Sequence, residues 1–229
     1  MRTLALAMLL VALAHGIASA DDPVVHARRP TLAVSLGLGM MLDVERTAGG
    51  VRHEQSITDD GFSGLRGEGA MTLGLSFMQP FSRYAALGVE AQYRGWASRQ
   101  DSELGYPNYH ALDFALLPRA QLPLARRVML IATLPIGISA SFIDADIEHH
   151  TFREEASTGS GFNLGLFAGA SVALHERFGV RGELGLLRSW LHHSWRYTST
   201  NDQPIVNSQQ DVSFGTTALI LRASFYLAL

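Results

Sequence analysis

The chain has 229 residues, with 18 basic side chains that are all arginine, 21 Asp and Glu, and no cysteine. The net charge of −3 and the lack of any basic run exclude nucleic acid as a partner, and the missing cysteines exclude a disulfide framework or a thiolate metal site.

The N-terminus reads as an export signal. Arg2 gives a positive start, Leu4 to Ala14 is an apolar run too short to span a bilayer, and Ala18-Ser19-Ala20 fits a small-x-small cleavage site. The expected division is a signal peptide at 1–20, a lead-in at 21–30 carrying Pro23, Arg28, Arg29 and Pro30, and one folded domain at 31–229.

Eight segments with a period of two follow, each read as a β-strand. In 31–44, Leu32, Val34, Leu36, Leu38, Met40 and Leu42 alternate with Ala33, Ser35, Gly37 and Gly39. In 66–78, Met71, Leu73, Leu75 and Phe77 alternate with Ala70, Thr72, Gly74 and Ser76, and Gln79-Pro80-Phe81-Ser82 makes a tight turn. In 83–96, Leu87, Val89 and Tyr93 oppose Gly88, Glu90, Gln92 and Arg94. The fourth strand, 109–122, sets Leu112, Phe114 and Leu116 against Asp113, Leu117, Arg119 and Gln121. The fifth, 127–142, sets Leu130, Leu134, Ile136 and Ile138 against Thr133, Gly137, Ser139 and Ser141. In 161–174, Phe162, Leu164 and Leu166 face away from Asn163, Gly165, Phe167 and Gly169. In 178–191, Val180, Leu184, Leu186 and Trp190 oppose Arg181, Glu183 and Ser189. The last, 212–229, opposes Leu221, Phe225, Leu227 and Leu229 to Arg222, Ser224 and Tyr226.

Pro118 and Pro135 fall inside strands four and five, where proline cannot donate to the ladder, so bulges are expected at both. Long links after strands one, three, five and seven alternate with short ones after two, four and six. That order makes an up-and-down structure with all long loops at one end and both chain ends at the other.

Volume decides which face points out. Roughly 40 large apolar side chains lie on one face, whereas an eight-stranded barrel encloses only enough room for ordinary side chains to fill. The bulky face must point outward, and only lipid can cover it. The expected fold is an all-β, eight-stranded antiparallel up-and-down transmembrane β-barrel. Strict parity then places Glu68, Glu90, Asp113, Glu183, Arg94, Arg119, Arg181 and Arg222 on the small, inward face. Four acids against four arginines suit a paired network, because an unpaired charge in a closed lumen is costly. Phe77, Phe81 and Tyr84 near one end, and Tyr93, Trp96, Phe142, Phe162, Trp190 and Trp195 near the other, read as aromatic girdles. Trp96, Trp190 and the outward Arg188 are the expected contacts to lipid and headgroups.

With these features the chain resembles the small eight-stranded outer-membrane β-barrel superfamily, of the OmpA/OmpX type. The resemblance rests on the export signal, the strand count, the loop asymmetry and the last strand, ALILRASFYLAL. There Leu221, Phe225, Leu227 and Leu229 follow the alternate apolar pattern of relatives, although the terminal residue is leucine where relatives usually end in an aromatic. The resemblance implies a bacterial outer-membrane location, with outer-membrane lipids including lipopolysaccharide and the outer-membrane assembly machinery as partners.

Candidate chemistry is sparse. Asp144, Asp146 and Glu148 sit at i, i+2 and i+4 in the third long loop, but the glycine of a calcium loop is missing, so the preferred reading is a solvated edge and no metal. His149-His150 and His192-His193 point to opposite sides if extended and read as surface histidines. His192, His193, Ser189 and Ser194 lie near the outer rim without an evident acid to orient a histidine, so no catalytic group and no cofactor is assigned. The preferred reading is a non-enzymatic, monomeric barrel with a surface or structural role and a largely plugged lumen. The alternatives are a narrow or lateral-gating channel for small solutes and a soluble periplasmic ligand carrier.

Overall fold

A computed structural model describes residues 28–49, 69–96, 108–144, 147–148, 152–154, 157–199 and 209–229. The strands are β1 Thr31–Gly49, β2 Gly69–Pro80, β3 Ala85–Trp96, β4 Asn108–Ala125, β5 Val128–Thr133, β6 Ile136–Asp144, β7 Ile147–Glu148, β8 Phe152–Glu154, β9 Ser157–Ala173, β10 Phe178–Ser199 and β11 Gln209–Ala228. All pairings are antiparallel, and β1 pairs with both β2 and β11, which closes the sheet into a ring of eight strands. β5 and β6 occupy one place in that ring, since both lie between β4 and β9. Closure removes the unpaired edges that an open sheet would have to protect.

The short turns and the chain ends share one rim. Thr31 pairs with Ala228, and the Leu229 amide donates to the Pro30 carbonyl at 2.9 Å. In the first short turn the Ser82 hydroxyl accepts from the Tyr84 and Ala85 amides at 3.1 and 3.0 Å. At the opposite rim the strands outrun the expected ones. β1 continues to Gly49, β10 reaches Ser199, and β7 and β8 add a small extension paired to β10 in a stretch read as loop. Where both faces of a strand are wet, the apolar alternation fades while the ladder continues.

The expected bulges at Pro118 and Pro135 are absent. Leu116 pairs with Ile136 and Arg119 with Thr133, one unbroken register across both prolines. The Pro118 carbonyl accepts from the Leu134 amide at 2.9 Å, and the Pro135 carbonyl accepts from the Gly165 amide at 2.8 Å. Each proline therefore removes one donor from the ladder without shifting it, and Pro135 only interrupts the strand between β5 and β6. Register shifts fall elsewhere, between Met41 and Asp43, between Arg46 and Ala48, and between Pro123 and Ala125.

Alternation is strict through the barrel body, as in β2, where Met71, Leu73 and Leu75 are exposed and Thr72, Gly74 and Ser76 are not. The outward face carries Leu36, Leu38, Met71, Ile138 and Leu166, each more than 60% exposed to whatever surrounds the barrel. An apolar belt of this extent has no stable place in water. The inside is filled in two ways. Charged and hydroxyl side chains cross the middle, interleaved with an apolar cluster including Met41, Trp96, Tyr109, Phe167, Leu187 and Ile220, and smaller apolar clusters, Met78 with Ala86 and Leu117 and Met129 with Ile131, fill the end near the short turns.

Candidate functional site: the charged lumen

Two groups of ionised side chains cross the lumen. In the first, Arg222 on β11 donates through Nε to Glu183 Oε2 on β10 at 3.0 Å and through Nη1 to both oxygens of Glu90 on β3, at 3.1 and 3.0 Å. Arg119 on β4 reaches Glu183 Oε1 at 3.5 Å, and its Nε donates to Thr133 Oγ1, which donates in turn to Glu183 Oε1 at 2.8 Å. The Arg222 guanidinium also lies over the Phe167 ring, 4.4 Å from its centroid.

Small residues on β1 and β2 make the room. A Cβ at Gly37 would overlap Thr72 Oγ1 and come within 3.2 Å of the Arg222 Cβ. One at Gly74 would lie 2.5 Å from Ser35 Oγ and 3.4 Å from Glu90 Oε1. Glycine stands at these points because no side chain fits beside the arginine and carboxylate that cross there.

In the second group, Arg94 on β3 meets Asp113 on β4 through both Nε and Nη2, the latter at 2.8 Å. Nη2 also donates to Ser139 Oγ at 3.3 Å and Ser189 Oγ at 3.2 Å. Ser139 donates to Asp113, and Asn163 Nδ2 donates to Ser139 at 3.1 Å. The carboxylate is thus gripped by a forked arginine and a hydroxyl, the geometry that offsets desolvation best. Between the two groups lies a cavity of about 10 Å³ lined by Glu90, Gln92, Asp113, Asn163 and Arg222 among others, room for one water.

Arg181 stands apart from the hydrogen-bonded set. It is buried, its guanidinium lies 5.4 Å from the Tyr226 ring centroid, and its Nε has no hydrogen-bond partner. Glu68 lies outside the described residues. The described lumen therefore holds Glu90, Asp113 and Glu183 against Arg94, Arg119, Arg181 and Arg222, one positive charge more than balance.

Near the long-loop end His193 is buried between two serines, with Nε2 2.6 Å from Ser141 Oγ and Nδ1 3.0 Å from Ser157 Oγ. Ser157 Oγ also lies 3.1 Å from the Ser194 carbonyl, to which it can donate. This three-member chain was not legible in the sequence, because its residues come from three strands and two of them, Ser157 and His193, fall in stretches read as loops; His193, read as a surface histidine, is buried.

No protein-family model matches the chain, and no curated protein matches it. Solved structures do. The outer-membrane protein OprG from Pseudomonas aeruginosa superposes with a TM-score of 0.53 at 12% identity, over 91% of this chain and 100% of that one. Neisserial surface protein A aligns at a TM-score of 0.45 and 10% identity, over 86% and 97% of the two chains. The outer-membrane enzyme PagL aligns at 0.39 and 15% identity, over 83% and 97%. The fold is that of the small eight-stranded outer-membrane barrels. At these identities the likeness extends to the fold alone.

On the barrel wall the aromatic residues divide differently from expectation. Phe81, Tyr84, Tyr93, Phe142, Phe162 and Trp190 are exposed on the outer face. Trp96 is the correction: expected at the headgroups, it points inward, is 1% exposed, and packs on Tyr109 with ring centroids 4.8 Å apart. It shares strand parity with Arg94, whose guanidinium lies 5.0 Å from its ring centroid. Alternation alone would have placed it inside, and only its position at a strand end suggested a girdle. Arg188 is on the outer face beside Trp190, its guanidinium 5.8 Å from the ring centroid. His192 faces out, 2.9 Å from Ser213 Oγ, while His193 faces in. The side chains of Asp144 and Glu148, all of Asp146 and all of His149-His150 lie outside the described residues.

Proposed function

We propose that in the outer membrane this protein is a non-enzymatic, monomeric barrel with a plugged lumen, which supports the membrane and displays its long loops at the surface. The observation that carries this reading is the Arg222 strut, which joins Glu183 and Glu90 across the inside at 3.0 Å. A second barrier, Arg94 with Asp113, lies above it, and the gap between them has room for one water. Passage of a solute would require breaking buried ion pairs, each costly to separate inside a low-dielectric lumen. The exposed Leu221, Phe225 and Leu227 on β11, with Leu229 just beyond it, suit a role as the element read by the assembly machinery, and the apolar belt suits lipid, with lipopolysaccharide outermost.

Planar-bilayer recording of the refolded mature chain tests this. A silent bilayer containing inserted, folded protein is the expected result. Discrete conductance steps at neutral pH would move the reading to a narrow channel. That second reading draws on the apolar cluster within the lumen and on the two ladder donors missing at Pro118 and Pro135.

A further inference from the structure

Among the described residues the outer wall is apolar through its middle, and one polar row enters it. Arg188 on β10, Thr217 on β11 and Asp43 on β1 stand in a single cross-strand row. Asp43 reaches the outside because the β1–β11 register slips between Met41 and Asp43. Met41 is inside and 1% exposed, and without the slip Asp43 would share its face.

The arginine is held in place. Its Nη1 donates to Thr217 Oγ1 at 2.8 Å. Its guanidinium lies against Gly215, where a Cβ would come within 2.6 Å of Nη2, so only glycine allows this seat. Trp190 flanks it on the side toward the long loops, with the guanidinium 5.8 Å from the ring centroid. Asp43 Oδ2 is 3.9 Å from Nη1, an ion pair too long to be a hydrogen bond. The Arg188 side chain keeps 24% of its surface open and that of Asp43 keeps 43%. Leu186 and Leu164, next to the row, are apolar and exposed.

We propose that this row is a binding site for the phosphate group of an outer-leaflet lipid, with Arg188 as the ligand to phosphate and Asp43 as acceptor for a hydroxyl or ammonium of the same headgroup. The inference rests on the membrane placement given above. A pre-seated guanidinium with part of its surface open can add an oxyanion to the contacts it already makes. It sits one strand step inside the tryptophan level, where headgroups begin. Neighbouring leucines give acyl chains a surface to cover, which a soluble phosphate would not use. Fixing the side chain beforehand against Thr217 and Gly215 lowers the ordering cost of binding.

The test uses the mature full chain, refolded in detergent and examined by native mass spectrometry with bis-phosphorylated lipid A, with the same lipid after phosphatase treatment, and with inorganic phosphate. Folding and bilayer insertion are checked separately by heat-modifiable gel mobility, so failure of the barrel reading is distinguishable from failure of the site. The expected result is retention of the phosphorylated lipid, a loss of about tenfold in Arg188→Gln, and a smaller loss in Thr217→Val. Arg188→Lys should recover only part of the affinity, since a point charge lacks the fork. Equal binding of phosphorylated and dephosphorylated lipid, unchanged binding by a folded Arg188→Gln variant, displacement by millimolar inorganic phosphate, or a dimer that Arg188→Gln dissociates would each overturn the proposal.

Discussion

Arg222 and Glu90 meet at 3.0 Å although β11 and β3, which carry them, are separated in the wall by β1 and β2. The contact is a strut across the barrel, and the same guanidinium holds Glu183 at 3.0 Å. Removing the arginine leaves two buried carboxylates facing each other near Arg119. We expect Arg222→Ala to lower unfolding stability by about 3–5 kcal/mol in a urea titration of the refolded protein in lipid. Replacing only the pair, Arg222→Met with Glu90→Gln, should recover much of the loss, because Glu183 keeps Arg119 and the carboxylate stranded by the single change is gone. A double variant less stable than the single one would show that the ion pair itself, beyond mere charge balance, holds the wall.

Two glycines make opposite predictions. Gly37 faces the lumen, where a Cβ would overlap Thr72 Oγ1 and approach the Arg222 Cβ at 3.2 Å. Gly182 faces outward, and a Cβ there meets nothing within 4 Å. Gly37→Val should cost about 1–3 kcal/mol by overpacking and loosen the Arg222 strut, while Gly182→Val should be neutral or slightly stabilising. Urea midpoints of the two variants measured side by side decide it, and equal effects would contradict the crowding at Gly37.

The fold was legible because two physical quantities were readable without coordinates. One was the period of two. The other was the volume of the bulky face, which an eight-stranded interior cannot hold. Together they put Leu36, Leu38 and Leu73 outside and Ser35, Gly37 and Gly74 inside, where the structure has them. Strand parity also says that Arg94, Arg119 and Arg222 point inward, but nothing about which carboxylate each one meets. That depends on tilt and stagger, which carry Arg222 to a strand three places away in the wall. Trp96 was misplaced because its position at a strand end outweighed its parity. Asp43 was hidden by a one-residue slip near Leu42, which turns its side chain over and leaves no mark in composition. The prolines misled in the other direction, since a missing donor can be tolerated in an unshifted ladder.

That tolerance is measurable. The Pro118 carbonyl accepts from the Leu134 amide, so an N–H at position 118 would face the Leu134 carbonyl within the same register. In Pro118→Ala the new amide should exchange slowly with deuterium, like its neighbours in β4. Net stability should change by less than about 1 kcal/mol, as the added hydrogen bond is offset by a freer unfolded chain. A rapidly exchanging amide at 118 would mean that the wall is locally bulged or open.

Trp96 and Trp190 lie at the same end of the barrel on opposite faces, 1% and 43% exposed. In a Trp195→Phe background, single-tryptophan variants of the refolded protein in bilayers separate them. Quenching by lipids brominated along the acyl chain or labelled near the headgroup acts over contact-like distances. Trp190 should therefore lose most of its emission to a shallow label, and Trp96 little to a label at any depth. Acrylamide from the aqueous side should also leave Trp96 bright, because Tyr109 and the Arg94 guanidinium pack against it. Strong quenching of Trp96 by lipid would return it to the girdle and reverse the face of β3 at that end. Strong quenching by acrylamide alone would mean that the upper lumen admits water and small solutes, and the plugged barrel would have to give way to a channel.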